Sequence, residues 1–275
     1  MHTRGAASGG FCLRCGCLLA ALICAAGGTT AAEQVRARYP EGTLHGFLSL
    51  TTAQGQVLAV GDLVEVVRGD RVTSHLVFHF KDGSLDDETT VFMQRGVFRL
   101  ISDHHIQRGP YFPRPLDLTI DARAGTVTMR SPGKDGKDDV AIEHMKLPED
   151  LYNGLVAPVI KNISPDAGET KFSMLVASPK LRLVTFDILT QGEEKFTLAG
   201  ISRKSLSYHI KIELGGISGV IAPVIGKQPP DLHMWILGGE VPVFLRETGP
   251  TFEDGPVLTI SLIGPTWPGG VDEHK

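Results

Sequence analysis

Cysteine is missing from most of this chain: all four, Cys12, Cys15, Cys17 and Cys24, fall within the first 24 of 275 residues. Everything after them has no disulfide, no thiolate metal site and no cysteine nucleophile. Long apolar runs are absent too, since the longest near the start, residues 17–26, is about half the roughly 20 residues that a spanning helix needs. No basic run exceeds two residues, which argues against nucleic acid and anionic lipid surfaces as partners. Nucleophile and phosphate motifs are also lacking. There is no G-x-S-x-G, and Ser131-Pro132-Gly133-Lys134 has S-x-x-K spacing in a Pro-Gly turn rather than at a helix start. Gly226-Lys227 is followed by Gln228, without the hydroxyl and spacing of a phosphate loop.

The first 32 residues read as a targeting segment. Arg4 and Arg14 supply the positive region, residues 17–26 the apolar region, and Thr29, Thr30, Ala31 and Ala32 a small-residue cleavage site before Glu33. A retained N-terminal anchor is the alternative. The spacing Cys12-x-x-Cys15, which elsewhere suggests a metal or redox pair, then belongs to a removed peptide. Export to the periplasm or the medium is the expectation, with no transmembrane span in the mature chain. The chain has 27 basic and 31 acidic residues, and loss of Arg4 and Arg14 leaves 25 against 31, a formal net charge of −6.

Beyond residue 42 the chain alternates. In residues 71–80, Val72, Leu76, Phe78 and Phe80 share one face while Arg71, Thr73, His75 and His79 share the other, the period of a half-buried strand. Residues 57–67, 89–106, 116–120 and 126–129 read likewise, separated by Arg68-Gly69-Asp70, Lys81-Asp82-Gly83, residues 121–125 and residues 132–139. Further strands are expected at 171–176, 181–189, 195–198, 206–214, 241–246 and 257–263, with Leu232, Met234 and Ile236 alternating between. Short turns between successive strands make an antiparallel meander. The expected fold is all-β, an open barrel or half-barrel, with one or two short helical or apolar plugs. No linker separates domains, so residues 33–268 are expected to form one β domain, with two similar halves as an option within it, before a polar tail at 269–275.

The plugs are the unusual feature. Residues 150–163 carry the one convincing helical pattern, with Asp150 as cap, Leu151, Leu155 and Val159 every fourth residue, and Pro158 as a kink. Residues 153–161 read NGLVAPVIK and residues 218–227 read SGVIAPVIGK, matching at an offset of 65. His144 and Lys146 match His209 and Lys211, and Pro165-Asp166 matches Pro230-Asp231. A connection is usually polar because it lies in water. These two are apolar, so a core, ligand, membrane or partner covers them. Corresponding strands in two halves are expected to send both plugs to one rim. Leu155, Val156 and Pro158 of the first and Val220, Ile221 and Pro223 of the second become the expected ligand contacts. Trp235 joins them, because with Leu237 it adds apolar area to the second face of its strand.

The words GGISGVIAPVIGKQPPD, HMWILGGEVPVF and FRLISDHHIQRGP resemble an uncharacterised group of exported bacterial proteins, and the resemblance covers most of the chain. It implies no activity. At the level of architecture alone, the expected meander with plugs is similar to the half-barrel carriers of lipoproteins and other lipids.

Histidine is the titratable type that clusters. A metal site of Asp103, His105 and either His75 or His79 is the weak candidate. Two strand histidines four apart are about 13 Å apart along the chain, too far to share an ion unaided. Asp82, Asp86, Asp87 and Glu88 read as a solvated acidic turn rather than a calcium site. Arg68-Gly69-Asp70 reads as ordinary hairpin chemistry, and Asn162-Ile163-Ser164 as a helix end. No cofactor is implied. The residues favour a non-catalytic binder of an apolar or lipid-like molecule, with an envelope-associated interaction protein as the alternative and a metal-dependent enzyme using the His/Asp cluster third. Processing is testable by mass measurement: the exported protein should begin near Ala32 or Glu33, and its melting should be indifferent to reductant. An intact Met1 on membrane-extracted material would favour the anchor.

Overall fold

In the computed structural model, residues 34–133, 137–177, 181–198, 201–214 and 229–263 are described. They lie within one unit, Ala32–Lys275. The second plug, with Val220, Ile221 and Pro223, lies outside the described residues, as do the targeting segment and the polar tail.

Among the described residues, fourteen antiparallel strands form a single open sheet. The first eight are β1 (Leu44–Thr52), β2 (Val57–Arg68), β3 (Arg71–Phe80), β4 (Leu85–Met93), β5 (Arg99–Arg108), β6 (Leu116–Asp121), β7 (Thr126–Pro132) and β8 (Asp138–His144). After α1 (Val156–Ile160), the one helix among the described residues, come β9 (Glu169–Ala177), β10 (Leu181–Leu198), β11 (Ile201–Glu213), β12 (Leu232–Leu237), β13 (Val243–Pro250) and β14 (Val257–Ile263). The order is β8 through β1, then β14 down to β9. Two meanders are thus joined by β1 and β14, where Leu50 faces Ile260. No helix among the described residues is long and apolar enough to cross a membrane.

The sheet curls on itself. Leu118, Ile120 and Val127 near one end share a core with Phe172, Leu175 and Val184 near the other. A sheet of this length twists and coils rather than staying flat. The connection between β8 and β9 fills the gap between the ends, and its Leu151, Tyr152, Leu155, Val159 and Ile160 are almost fully buried. A second core of Leu48, Leu50, Phe78, Phe80 and Phe112 lies under β1 to β3. Phe112 stacks edge-on against Phe80 and Phe252, at ring separations of 5.3 and 5.6 Å.

Three expectations change. The run 89–106 is two strands, β4 and β5, because a turn at 94–98 with Gly96 at φ 74° breaks it. Runs 181–189 and 195–198 merge into one 18-residue strand, with a register shift between Thr190 and Gly192. Most of the expected helix 150–163 is not helical. Leu151 instead makes a parallel bridge to Ser173, and the Asp150 carboxylate accepts a bond from Ser173 Oγ at 3.0 Å. Pro158 is the third residue of α1, within the first turn, where a missing N–H costs nothing, so it sits without a kink.

The two copies of the word fall in different connections, and the second lies outside the described residues. The first copy spans from β8 to β9, the two outer edges of the sheet, whereas the second falls between β11 and β12, which pair directly. A shared word therefore serves two different connections. The first is also an edge cover. Asn153 Nδ2 donates to Leu175 O and Asn153 Oδ1 accepts from Leu175 N, both at 2.9 Å. This amide occupies the free edge of β9 as a neighbouring strand would. Among the described residues β8 has no such cover, and all seven of its residues are exposed.

Gly154 lets the chain turn from that edge into α1. Its φ is 66°, and a Cβ there would collide with Thr90 Oγ1 and Cβ. Gly96 has a similar φ of 74° but open space around it. Gly154→Ala should therefore cost about 3 kcal/mol, against about 1 kcal/mol for Gly96→Ala, whose penalty is backbone alone. Equilibrium denaturation of both variants measures the difference, and equal losses would remove the steric argument.

Candidate ligand-binding cavity

The register of β2 to β6 determines which side chains enter the curl. Residues opposite one another in adjacent strands share a face. One inward row runs Leu63, Leu76, Glu88, His105, Leu118. The next runs Glu65, Ser74, Thr90, Asp103, Ile120, and on the other side Gly61, Phe78, Asp86, Gln107, Leu116. Acidic and histidine side chains are thus set among leucines and phenylalanines on the inner face. From the opposite wall β9 and β10 present Met174, Val176, Val184 and Phe186. Between them is a cavity of about 690 Å³, well inside the range of about 300–1,000 Å³ typical of small-molecule sites.

Its polar part is a connected cluster. His105 Nε2 lies 2.7 Å from Asp86 Oδ1, and its Nδ1 is 4.0 Å from Glu88 Oε1. Gln107 donates through Nε2 to Asp86 Oδ2 and to Thr251 O, both at 2.9 Å, which ties the β13–β14 turn to β4 and β5. Thr90 Oγ1 donates to Asp103 Oδ1 at 2.7 Å. Glu247, on β13, also lines the cavity, and its carboxylate makes no hydrogen bond or ion pair with a described side chain. At the turn end, Arg182 pairs with Glu253 at 2.8 Å, and Arg114 lies 3.5 Å from the same carboxylate.

Charge is held here against its solvation cost. Burial raises the Glu88 carboxyl, His105 pulls it back, and the charges of Asp86 and Glu247 push it further up. Burial likewise raises Glu247 to about 7. Asp103 goes to about 8, chiefly by burial and then by the charge of Glu88. For His105 burial works downward, but Glu88, Asp86 and Asp103 together outweigh it and raise the imidazole to about 9. A second buried group sits beside α1. Lys161 pairs with Glu41 at 2.6 Å, and Glu65, raised to about 8 by burial and then by Glu41, lines the cavity next to them.

The expected site residues divide. Val156 and Pro158 line the cavity. Leu155 is fully buried in the core beneath them. Trp235 lies on the outer face, where its Nε1 donates to Glu194 Oε2 at 2.9 Å and its ring stacks on His233. The inner face of that strand carries Leu232, Met234 and Ile236, so Trp235 is outside the cavity. The weak metal set is not brought together. Asp103 and His105 point inward, whereas His75 pairs outward with Asp87 at 3.0 Å and His79 is exposed. The sheet lies between them. Asp86 and Glu88, read as a solvated turn, are inward residues of β4. Their spacing with Thr90 and Phe92 was the available signal, masked because acidic residues suggest a solvent face.

Each raised group binds protons more tightly folded than unfolded, so each favours the fold at low pH and loses that contribution as pH rises through its folded value. For Glu65 and Asp103 the window runs from about 4 to about 8, and for His105 from about 6.5 to about 9. The ligand-free protein should therefore melt at steadily lower temperature as pH rises from about 5 to about 9. Glu65→Gln should flatten the lower part of that slope, and an unchanged slope would contradict the assignment. Differential scanning calorimetry across the range is the measurement.

No family model matches the chain. No curated protein matches it either. Among solved structures it is similar to the crystal structure of a β-barrel-like protein of a domain of unknown function, DUF1849, from Brucella abortus. The identity is 8%, the match covers 82% of this chain and 97% of that chain, and the TM-score is 0.44.

Proposed function

We propose that this chain is an exported, non-catalytic binding protein that holds an apolar or lipid-like small molecule inside its curled sheet. The observation that carries the reading is the cavity of about 690 Å³, whose wall is apolar over most of its area and is furnished by both meanders and α1. A core built only for stability packs to the density of an organic crystal and keeps few voids larger than a water molecule. A space this large under Val156, Met174 and Phe186 forgoes that packing, and an apolar guest would restore it. Export rests on the targeting pattern of the first 32 residues.

Neighbouring residues of the plug separate a ligand wall from the core. Leu155 is fully buried, so Leu155→Asp should cost several kcal/mol and abolish cooperative melting. Val156 faces the cavity, so Val156→Asp should keep a cooperative transition within about 2 kcal/mol of the parent while losing binding of an uncharged fluorescent long-chain alkyl probe. No probe binding by the parent, or collapse of both variants, would sink the proposal.

A further inference from the structure

Among the described residues, the cavity holds more carboxylates than it has cations to answer them. Asp86 is engaged by His105 and Gln107. Glu88 has His105 Nδ1 at 4.0 Å, beyond a hydrogen bond. Glu247 faces the same space with no hydrogen bond or ion pair to a described side chain. Glu65, only 3% exposed, lines the cavity with an Oε2 that has no hydrogen-bond partner, and Asp103, 1% exposed, has an unpartnered Oδ2 in the adjoining row. The nearby cations are engaged, Lys161 with Glu41 and also with the charge of Glu65, and Arg114 and Arg182 with Glu253. Among the described residues, His105 is therefore the one cation within the cluster. An acid buried without a donor costs several kcal/mol, a cost that an occupant bearing donors and positive charge would relieve.

We propose that the cavity takes a long-chain cationic amphiphile, its ammonium head between Glu88 and Glu247 and its alkyl chain against Val156, Met174, Val184 and Phe186. This rests on the ligand-binding reading above and specifies the head group. An anionic head would meet charge of its own sign, and an uncharged one would leave the carboxyls unanswered. The raised carboxyls agree with this assignment, because an ammonium favours their ionised form and its binding releases protons.

The test uses the purified full chain and three ligands of one chain length, dodecylamine, dodecanol and dodecanoic acid, each below its micellar concentration, by titration calorimetry. At about pH 8 the amine should bind at least about tenfold more tightly than the alcohol, with the acid weakest, and its advantage should shrink at about pH 5.5, where the carboxyls hold protons. Glu88→Gln with Glu247→Gln should remove the amine's advantage. Glu247→Gln alone should reduce it, and is the fallback variant should the pair fail to fold. Equal or tighter binding of the alcohol or acid at about pH 8, or an amine advantage indifferent to the substitutions, would overturn the head-group assignment while leaving the ligand cavity standing. Failure of all three to bind would overturn both.

Discussion

Two hydrogen bonds of 2.9 Å between the Asn153 amide and the backbone of Leu175 attach the β8–β9 connection to the free edge of β9, and the interior depends on that attachment. An open sheet of fourteen strands has two edges to manage, and burying an edge without partners strands its backbone groups. Here one edge is covered by the chain that crosses the gap between the sheet ends. The same segment delivers Leu155 and Val159 to the core and Val156 to the cavity wall. Asn162 extends the attachment in the other direction, accepting from Tyr39 N at 2.6 Å and donating to Pro158 O at 2.8 Å.

With the gap bridged, the inner face becomes a low-dielectric space, and that changes what its acids are. In water Glu88, Asp103 and Glu247 would be ordinary carboxylates. Inside the curl they hold protons at pH values where exposed carboxyls are ionised, and His105 stays charged among them. Stability alone gives no reason to place such groups on an inner wall, since hydrophobic residues of similar volume do as well or better. Their position beside an apolar cavity is what the proposed cationic ligand accounts for.

Much of the fold was legible because alternation is a local signal. Strands β3 and β14 begin and end where the pattern of residues 71–80 and 257–263 puts them. The errors arose where local pattern and tertiary context diverge. Leu151, Leu155 and Val159 recur at helical spacing, yet Asp150 and Leu151 found strand partners in Ser173, and a tertiary backbone pairing outweighs a weak helix preference. The cavity acids were missed for a related reason. Asp86 and Glu88 look like a solvent face, and only cross-strand register with His105 and Leu76 reveals that the face is internal. Trp235 erred in the opposite sense, an aromatic residue assigned inward that lies outside against His233 and Glu194.

The pairing of β1 with β14 has a consequence for how the chain reaches this structure. Phe47 lies opposite Ile263, and these two strands sit in the middle of the sheet rather than at its rim. Each meander can zip from hairpin to hairpin, a sequence of local steps. The joint between them needs contact between the first and last strands of the described chain, and closing so long a loop is entropically slow. Until it forms, β1 and β14 are exposed edges, open to pairing with another molecule. A ribosome or a translocation channel releasing this chain from its N-terminus would therefore hold an incomplete sheet until the final strand emerged, and the interval before that joint closes is when aggregation competes with folding.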